Sequence, residues 1–325
     1  MIKKINIKDL QEGMYIILPK NWFAHPFLKN EFVIESQEQI NKLLKAGIKE
    51  VNIKVEAISG KQNKTTGKEA HQGEPPQEKP KDVRPPELRE IIADKKMMPD
   101  RKAKLVHQQS IVMMNRLMDN PTAESIQEVK KGVADVVDLI LNNDSTNQYL
   151  LNITSHDYNT YVHSVNVGVL AISVAKTIFG GSDGHDMHEL GAAFFLHDLG
   201  KVNIDLNIIN KPAALTDEEM AQMRKHPEFG YDLLSRTNQL TEECRNIVLQ
   251  HHERFDGSGY PLGLKGEDIH PYGRICSLAD VFDALNSDRP YRKGLGPFAS
   301  LKIMKEEMLS HFHKDLFEKF VKLFS

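Results

Sequence analysis

"LGAAFFLHDLGK", residues 190–201, runs seven apolar or small residues straight into a histidine, an aspartate and, one turn on, a lysine. Such a run belongs in a helical core, yet burying His197 and Asp198 side by side is unfavourable unless each finds a partner or a metal ion. Lys201 falls four residues after His197, on the same helix face if the helix continues past Gly200. It then either neutralises a phosphate or caps the helix C-terminus.

Around this stretch, from Asp157 onward, the pattern is helix after helix. Thr216-x-x-Glu219 is a full capping box, and Thr241 opens a further helix. No alternating β pattern of useful length and no repeat of fixed period interrupts it. Upstream, "AKLVHQQSIVMMNRLMD" and "TAESIQEVKKGVADVVDLILNN" carry apolar residues at spacings of three and four, the second opening at the weaker cap Thr122-x-x-Ser125. Two such helices pair either with each other or with a second subunit. Residues 58–90 are rich in Lys, Glu, Gln, Gly and Pro and nearly empty of large apolar side chains, which predicts a linker. Before it, "DLQEGMYIIL" and "EVNIKVEAI" read as short strands. Between them lies "SQEQINKLLKAG", a helix with a capping box from Ser36 to Gln39 and a stop at Gly47. The chain is therefore expected to be mainly all-α with a small N-terminal α+β domain. Its expected parts are the α+β domain over 1–57, a flexible linker over 58–100, helical connector segments over 101–143 and a helical domain over 144–325.

The 325 residues carry a formal net charge of −3, which gives no global pull toward DNA or an anionic membrane surface. Cys244 and Cys276, the only cysteines, lie in helical segments and suggest no disulfide framework, as in a reducing compartment. "MIKKINIKDLQEGMYI" lacks the apolar core of a signal peptide, and no stretch has about 18 uninterrupted apolar residues. A cytoplasmic protein with neither a DNA nor a membrane partner is the expectation.

Among fourteen histidines the dipeptide His-Asp occurs at 156, 185 and 197, so context must discriminate. His185-Asp186 lies in a polar loop where exposed side chains are the plain reading, and Asp157 caps a helix start. His163 is either a satisfied core histidine or a ligand. His226 reads alone as a dipole partner at the end of the helix begun at Thr216. Asp280 stands beside a core stripe of Ile275, Leu278, Phe282 and Leu285, as a structural group or a ligand. "HHERFDGSGYP", residues 251–261, puts two histidines before a turn that needs Gly257 and Gly259 but no imidazole. Taken together, His163, His197, Asp198, His226, His251, His252 and Asp280 are the inventory of a two-metal site. Imidazole with carboxylate suits Fe, Mn, Zn, Co or Ni rather than Ca or Mg. Two divalent ions about 4 Å apart can flank a phosphoryl centre, so phosphate ester hydrolysis is the favoured reaction class.

"LHDLGK", "HHERFDGSGYP", "NKPAALTDEEMAQMRKHPEFG" and "LADVFDALNSDRPYR" resemble segments of the HD superfamily of metal-dependent phosphohydrolases, and more narrowly of its HD-GYP subfamily, from roughly residue 140 to 325. The resemblance implies a helical fold and hydrolysis of cyclic di-GMP to pGpG, in some members onward to GMP. It places the seven residues above on the metal ligands, two Fe or Mn ions foremost, with Asp198 bridging them. Lys201 falls on the signature lysine beside the substrate phosphate, Tyr260 on the GYP tyrosine, and Arg289 and Arg292 on ligand-contacting basic residues; Arg254 and Asp256 would hold the turn in shape. Asn159 stands where some members carry a glutamate that helps hold a third metal, which favours a binuclear site. The N-terminal segment, with Trp22, His25, Pro26 and Phe27, resembles a small domain of unknown function found before HD-GYP domains. Two other readings stand beside this one: a phosphodiesterase for another cyclic dinucleotide, and a catalytically weak nucleotide-binding or scaffold module. The expected partners are cyclic di-GMP, a second copy through the connector helices, and signalling proteins.

Overall fold

The computed structural model describes residues 2–11, 13–17, 31–34, 40, 43, 50–54, 83–153, 159–180, 184–211, 213–288 and 293–324. Outside them lie the Ser36–Gln39 capping box with Gly47, the residues Trp22, His25, Pro26 and Phe27, the pair His156 and Asp157, and Arg289 with Arg292. The chain divides into two compact units, Met1–Pro76 and Gln77–Ser325.

In the first unit β1 (Ile2–Asn6), β2 (Tyr15–Ile17), β3 (Glu31–Val33) and β4 (Glu50–Lys54) form one antiparallel sheet in the order β1-β4-β2-β3. Alternation sets the faces of β4: Val51 is buried, Asn52 is exposed, and Ile16 pairs with Ile53 across the ladder. Ile7, Leu10, Ile16, Ile34, Ile40, Leu43 and Val51 make the small core. Strands β1 and β3 carry no clear sequence signal, since β1 holds two lysines in five residues and β3 has only three residues.

The second unit is helical. In order come α1 (Pro86–Ala93), α2 (Pro99–Asp119), α3 (Ala123–Asn142), α4 (Asp144–Leu151), α5 (Thr160–Phe179) and α6 (Met187–Leu196). A 3-10 turn at Leu199–Asn203 follows, then α7 (Leu206–Ile209), α8 (Asp217–Met223), α9 (His226–Arg236) and α10 (Glu242–Gln250). The series closes with α11 (Pro271–Asn286), α12 (Pro297–Glu307) and α13 (Lys314–Val321). The caps are the ones the sequence predicts: Thr122 accepts from Ser125 N–H, Thr241 from Cys244 N–H, and Thr216 with Glu219 closes a capping box.

Helix α1 corrects the linker expected across 58–100. Pro86 presets the first turn, Leu88 is wholly buried, Lys102 Nζ donates to Ile92 O at 3.1 Å, and Arg84 pairs with Asp135. The connector helices are likewise part of the main body. Met113, Met114 and Leu117 of α2 and Val129, Val133 and Val136 of α3 join one core with Phe194 and Phe195 of α6. Burying each such side chain contributes about 1.5–3 kcal/mol. At the centre runs α5, buried from Val162 to Ala175 and packed by α2, α6 and α11. It is the one described helix long and apolar enough to cross a membrane, and most of it is enclosed by protein.

Candidate metal centre

Helix ends bring the ligands together. His163 lies in the first turn of α5, His197 directly follows α6, His226 opens α9, His251 and His252 follow α10, and Asp280 projects from the middle of α11. His197 closes α6 by turning its Nδ1 onto Phe194 O at 2.8 Å, and the chain then tightens into the 3-10 turn. The helix does not continue past Gly200, so His197 and Lys201 do not share one helix face. Instead Lys201 Nζ donates to Asp198 Oδ2 at 2.6 Å. His226 begins a helix rather than ending one: α8 stops at Met223, and Pro227 takes its favoured place in the first turn of α9.

Backbone carbonyls set the tautomers. His197 Nδ1 faces Phe194 O at 2.8 Å, His226 Nδ1 faces Met223 O at 2.8 Å, and His251 Nδ1 faces Val248 O at 3.0 Å. A carbonyl only accepts, so each imidazole keeps its proton on Nδ1 and presents a bare Nε2 lone pair. Those lone pairs converge: His226 Nε2 and His251 Nε2 are 3.1 Å apart, and the buried His197 Nε2 has no hydrogen-bond partner. Two lone pairs at that separation repel unless a cation lies between them.

The carboxylate of Asp198 stands between two such sets. Its Oδ1 lies 3.2 Å from His226 Nε2 and 3.7 Å from His251 Nε2, while its Oδ2 lies 3.4 Å from His197 Nε2 and 3.7 Å from His163 Nε2. Two overlapping groups, Asp198 with His226, His251 and His252, and Asp198 with His163 and His197, each bring their ligand atoms within 4.8 Å of one another. Asp280 joins both sides, with Oδ1 3.0 Å from His163 Nε2 and Oδ2 3.4 Å from His252 Nδ1. Nitrogen and carboxylate donors so arranged fit divalent transition-metal ions, and all seven residues named from the sequence meet here.

The protonation states of three of the histidines agree with that fit. Burial pushes His226 down to about 4 and holds His197 and His252 below the ordinary histidine value, so all three are neutral near pH 7. Burial disfavours charge on His163 too, but Asp280 and Asp283 outweigh it and push this imidazole up to about 10. Burial raises Asp198 and Asp280, but their cationic and imidazole neighbours prevail and keep both ionised. Below about 10 an ion must therefore displace one proton from His163, whereas His226 competes only toward about 4. Metal affinity is expected to rise about tenfold per pH unit between roughly pH 7 and 9, with about one proton released. Calorimetric titration of the metal-free chain in buffers of different ionisation heat measures that proton, and a flat affinity over this range contradicts it.

The loop after His252 roofs the site. Gly257 adopts φ +86°, and a Cβ on Gly259 would meet Arg254 N at 2.4 Å and Glu253 Cα at 2.5 Å. Tyr260 stacks on the His252 ring with centroids 4.7 Å apart, its hydroxyl pushed up by burial. As expected of a shaping role, Asp256 accepts from Ser258 N at 2.9 Å and from Ser310 Oγ at 3.1 Å, and Arg254 reaches Ser258 Oγ. Three functional residues escape sequence reasoning. The buried Glu253 accepts from the N–H groups of Leu262, Gly263 and Leu264 at 2.7, 3.1 and 3.0 Å, clamping the loop. Asp283 Oδ2 lies 2.6 Å from His163 Nδ1 and accepts its N–H, as carboxylates behind metal-bound histidines do. Its signal was present: it sits one helical turn beyond Asp280 in "ADVFDAL". Arg224 lies 5.3 Å over the Tyr260 ring, a contact no local pattern announces. His185, read as exposed, instead meets Tyr272 Oη at 2.7 Å and stacks on Phe179, while Asp186 caps α6.

Residues 167–316 match the family described as HD domain, and residues 2–131 match a domain of unknown function, DUF3391. The cyclic di-GMP phosphodiesterase PA4108 of Pseudomonas aeruginosa is 32% identical over 327 residues, 99% of this chain and 76% of that one. The chain belongs to the HD-GYP family. A 3′3′-cGAMP-specific phosphodiesterase of Vibrio cholerae is 43% identical to this HD-GYP protein over 127 residues, 38% of this chain and 24% of that one. The solved structure of Bd1817, a HDG"Y"P protein from Bdellovibrio bacteriovorus, shares the fold at a TM-score of 0.64 and 17% identity, covering 100% of this chain and 99% of that one.

Proposed function

We propose that the chain is a cytoplasmic, metal-dependent phosphodiesterase that hydrolyses cyclic di-GMP to pGpG at a binuclear site. The observation that carries this reading is the Asp198 carboxylate set between two groups of imidazole Nε2 atoms beneath Tyr260. His163, His197, Asp198, His226, His251, His252 and Asp280 would hold two ions, Fe or Mn foremost. When bound, such ions supply Lewis acidity to a phosphoryl oxygen and a nucleophile from water at neutral pH. Lys201, 2.6 Å from Asp198, places positive charge at the carboxylate the ions would share and stands ready to give a proton to the departing 3′ oxygen. Tyr260 and Arg224 offer a flat ring and a planar guanidinium to a guanine base or phosphate, with Arg289 and Arg292 as further basic contacts. Asn159, at the N-cap of α5, offers an amide where a third ion would need a carboxylate, so two ions per chain and pGpG as product are the reading. The buried free thiols Cys244 and Cys276 support a reducing compartment. Because α2 and α3 bury their apolar faces within the chain, a homodimer there would meet through outward faces such as that of Val112, 37% exposed.

The test is purified full-length protein loaded with Mn²⁺ or, without oxygen, Fe²⁺, given cyclic di-GMP and followed by chromatography and metal analysis. Two ions per chain and accumulating pGpG are expected. Tight nucleotide binding without turnover would favour the scaffold reading. The Vibrio cholerae relative motivates a parallel assay with 3′3′-cGAMP, whose faster hydrolysis would favour the other dinucleotide. Lys201→Ala is expected to keep both ions while losing roughly 10²–10³-fold in kcat, as removal of one stabilising donor does. Arg224→Ala is expected mainly to raise KM.

A further inference from the structure

A buried line of polar groups runs away from the metal centre and out of the HD domain match. Asp283, whose Oδ2 accepts from His163 Nδ1 at 2.6 Å, accepts with its Oδ1 from Asn166 Nδ2 at 2.9 Å. Asn166 Oδ1 in turn lies 2.8 Å from Nε2 of His107, on α2. All four side chains are buried, from 2% exposed at His163 to 9% at Asn166. His107 lies 59 residues before Asn166, in the stretch that matches the domain of unknown function and outside residues 167–316.

The direction of every bond follows from chemistry. Asn166 gives an N–H of its amide to Asp283, which leaves its carbonyl oxygen to face His107. That oxygen only accepts, so His107 must carry its proton on Nε2. Burial holds His107 below the ordinary histidine value, which leaves a neutral ring with one N–H to give. The line therefore reads His107 Nε2–H to Asn166, Asn166 N–H to Asp283, and His163 Nδ1–H to Asp283. Removing the first donor leaves Asn166 free to turn its amide, and Asp283 then loses the contact that fixes its second oxygen.

We propose that His107 is a positioning residue for the metal centre, acting through Asn166 and Asp283 on the ligand His163. It touches neither substrate nor ion. Its role is to fix the orientation of His163, so that Nε2 addresses Asp198 and Asp280. The proposal rests on His163 being a metal ligand. Outer partners of ligating histidines commonly change metal affinity by about 10–100-fold, and the greater remoteness of His107 places its effect near the lower end, about tenfold.

The experiment is Mn²⁺ titration of the metal-free full chain by calorimetry, with the melting temperature of the metal-free protein measured beside it. His107→Leu removes the donor and is expected to weaken Mn²⁺ binding about tenfold. His107→Gln, whose amide N–H reaches the position of Nε2, is expected to restore wild-type affinity. Asn166→Leu should weaken binding at least as much as His107→Leu, and the double variant no more than Asn166→Leu alone, because the two act in one line. A His107→Leu protein that melts lower yet binds Mn²⁺ like wild type would overturn the proposal, as would a folded His107→Gln that fails to restore affinity. If His107→Leu does not fold, the Gln and Asn166 variants decide. A wild-type chain that takes up no Mn²⁺ would instead sink the metal-site reading beneath it.

Discussion

Asp198→Ala is expected to leave the chain helical but without stoichiometric metal, and to lower turnover of cyclic di-GMP by at least about three orders of magnitude. The size follows from position. Asp198 belongs to both candidate ligand groups, its two oxygens facing His226 and His251 on one side and His163 and His197 on the other. Its loss removes from both sites the anion they share and leaves bare Nε2 lone pairs facing one another. Residues that merely orient ligands change affinity or activity by about 10–100-fold, so a shared ligand should exceed that range. Metal analysis after dialysis, circular dichroism and product chromatography measure the three parts. Asp198→Asn, which keeps the shape and loses the charge, is expected to behave like the alanine variant. A variant that retained two ions per chain while losing turnover would show that Asp198 acts on the substrate instead.

Gly200→Ala is expected to damage stability and metal binding together. A Cβ there would lie 1.9 Å from His226 O and 2.3 Å from Gly230 N, both backbone atoms that no rotamer change can move aside. The 3-10 turn carrying Lys201 and the first turn of α9 carrying His226 are packed against each other at this glycine. To admit the methyl group α9 must shift, and His226 Nε2 leaves its place 3.2 Å from Asp198 Oδ1. Overpacking of this kind destabilises by about 1–3 kcal/mol or more. In a unit of this size each kcal/mol lowers the melting temperature by roughly 2–4 °C. Gly296→Ala, whose Cβ would meet nothing within 4 Å, is the control expected to melt like wild type. Equal melting of the two variants would contradict the packing account.

Much of the helical unit was legible because its signals are local. Thr122, Thr216 and Thr241 stop or start helices through bonds spanning three residues, and such bonds can be read along the chain. The apolar run before His197 announced a buried site for the same reason. Local signals mislead where two of them compete. His226 before Pro227 resembles a helix end, yet proline prefers a first turn and the helix starts there. Residues 86–93 resemble linker by the composition of their neighbours, although Pro86 and Leu88 start and anchor a short helix. The partners of His185, Phe179 and Tyr272, lie on other helices, so its local sequence announces only a polar loop.

From its residues alone, the chain determined that it would be mainly helical and that seven imidazole and carboxylate side chains, with Lys201, would be available for metal and phosphate chemistry. Periodicity, capping and residue type are properties of neighbouring positions. Only the tertiary structure decided which nitrogen each histidine presents, that Asp198 stands between two ligand sets, and that Glu253, Asp283, Arg224 and His107 support them. Those facts depend on directions in space between groups as far apart in the chain as His163 and Asp283, 120 residues, and packing the helices is what sets such directions.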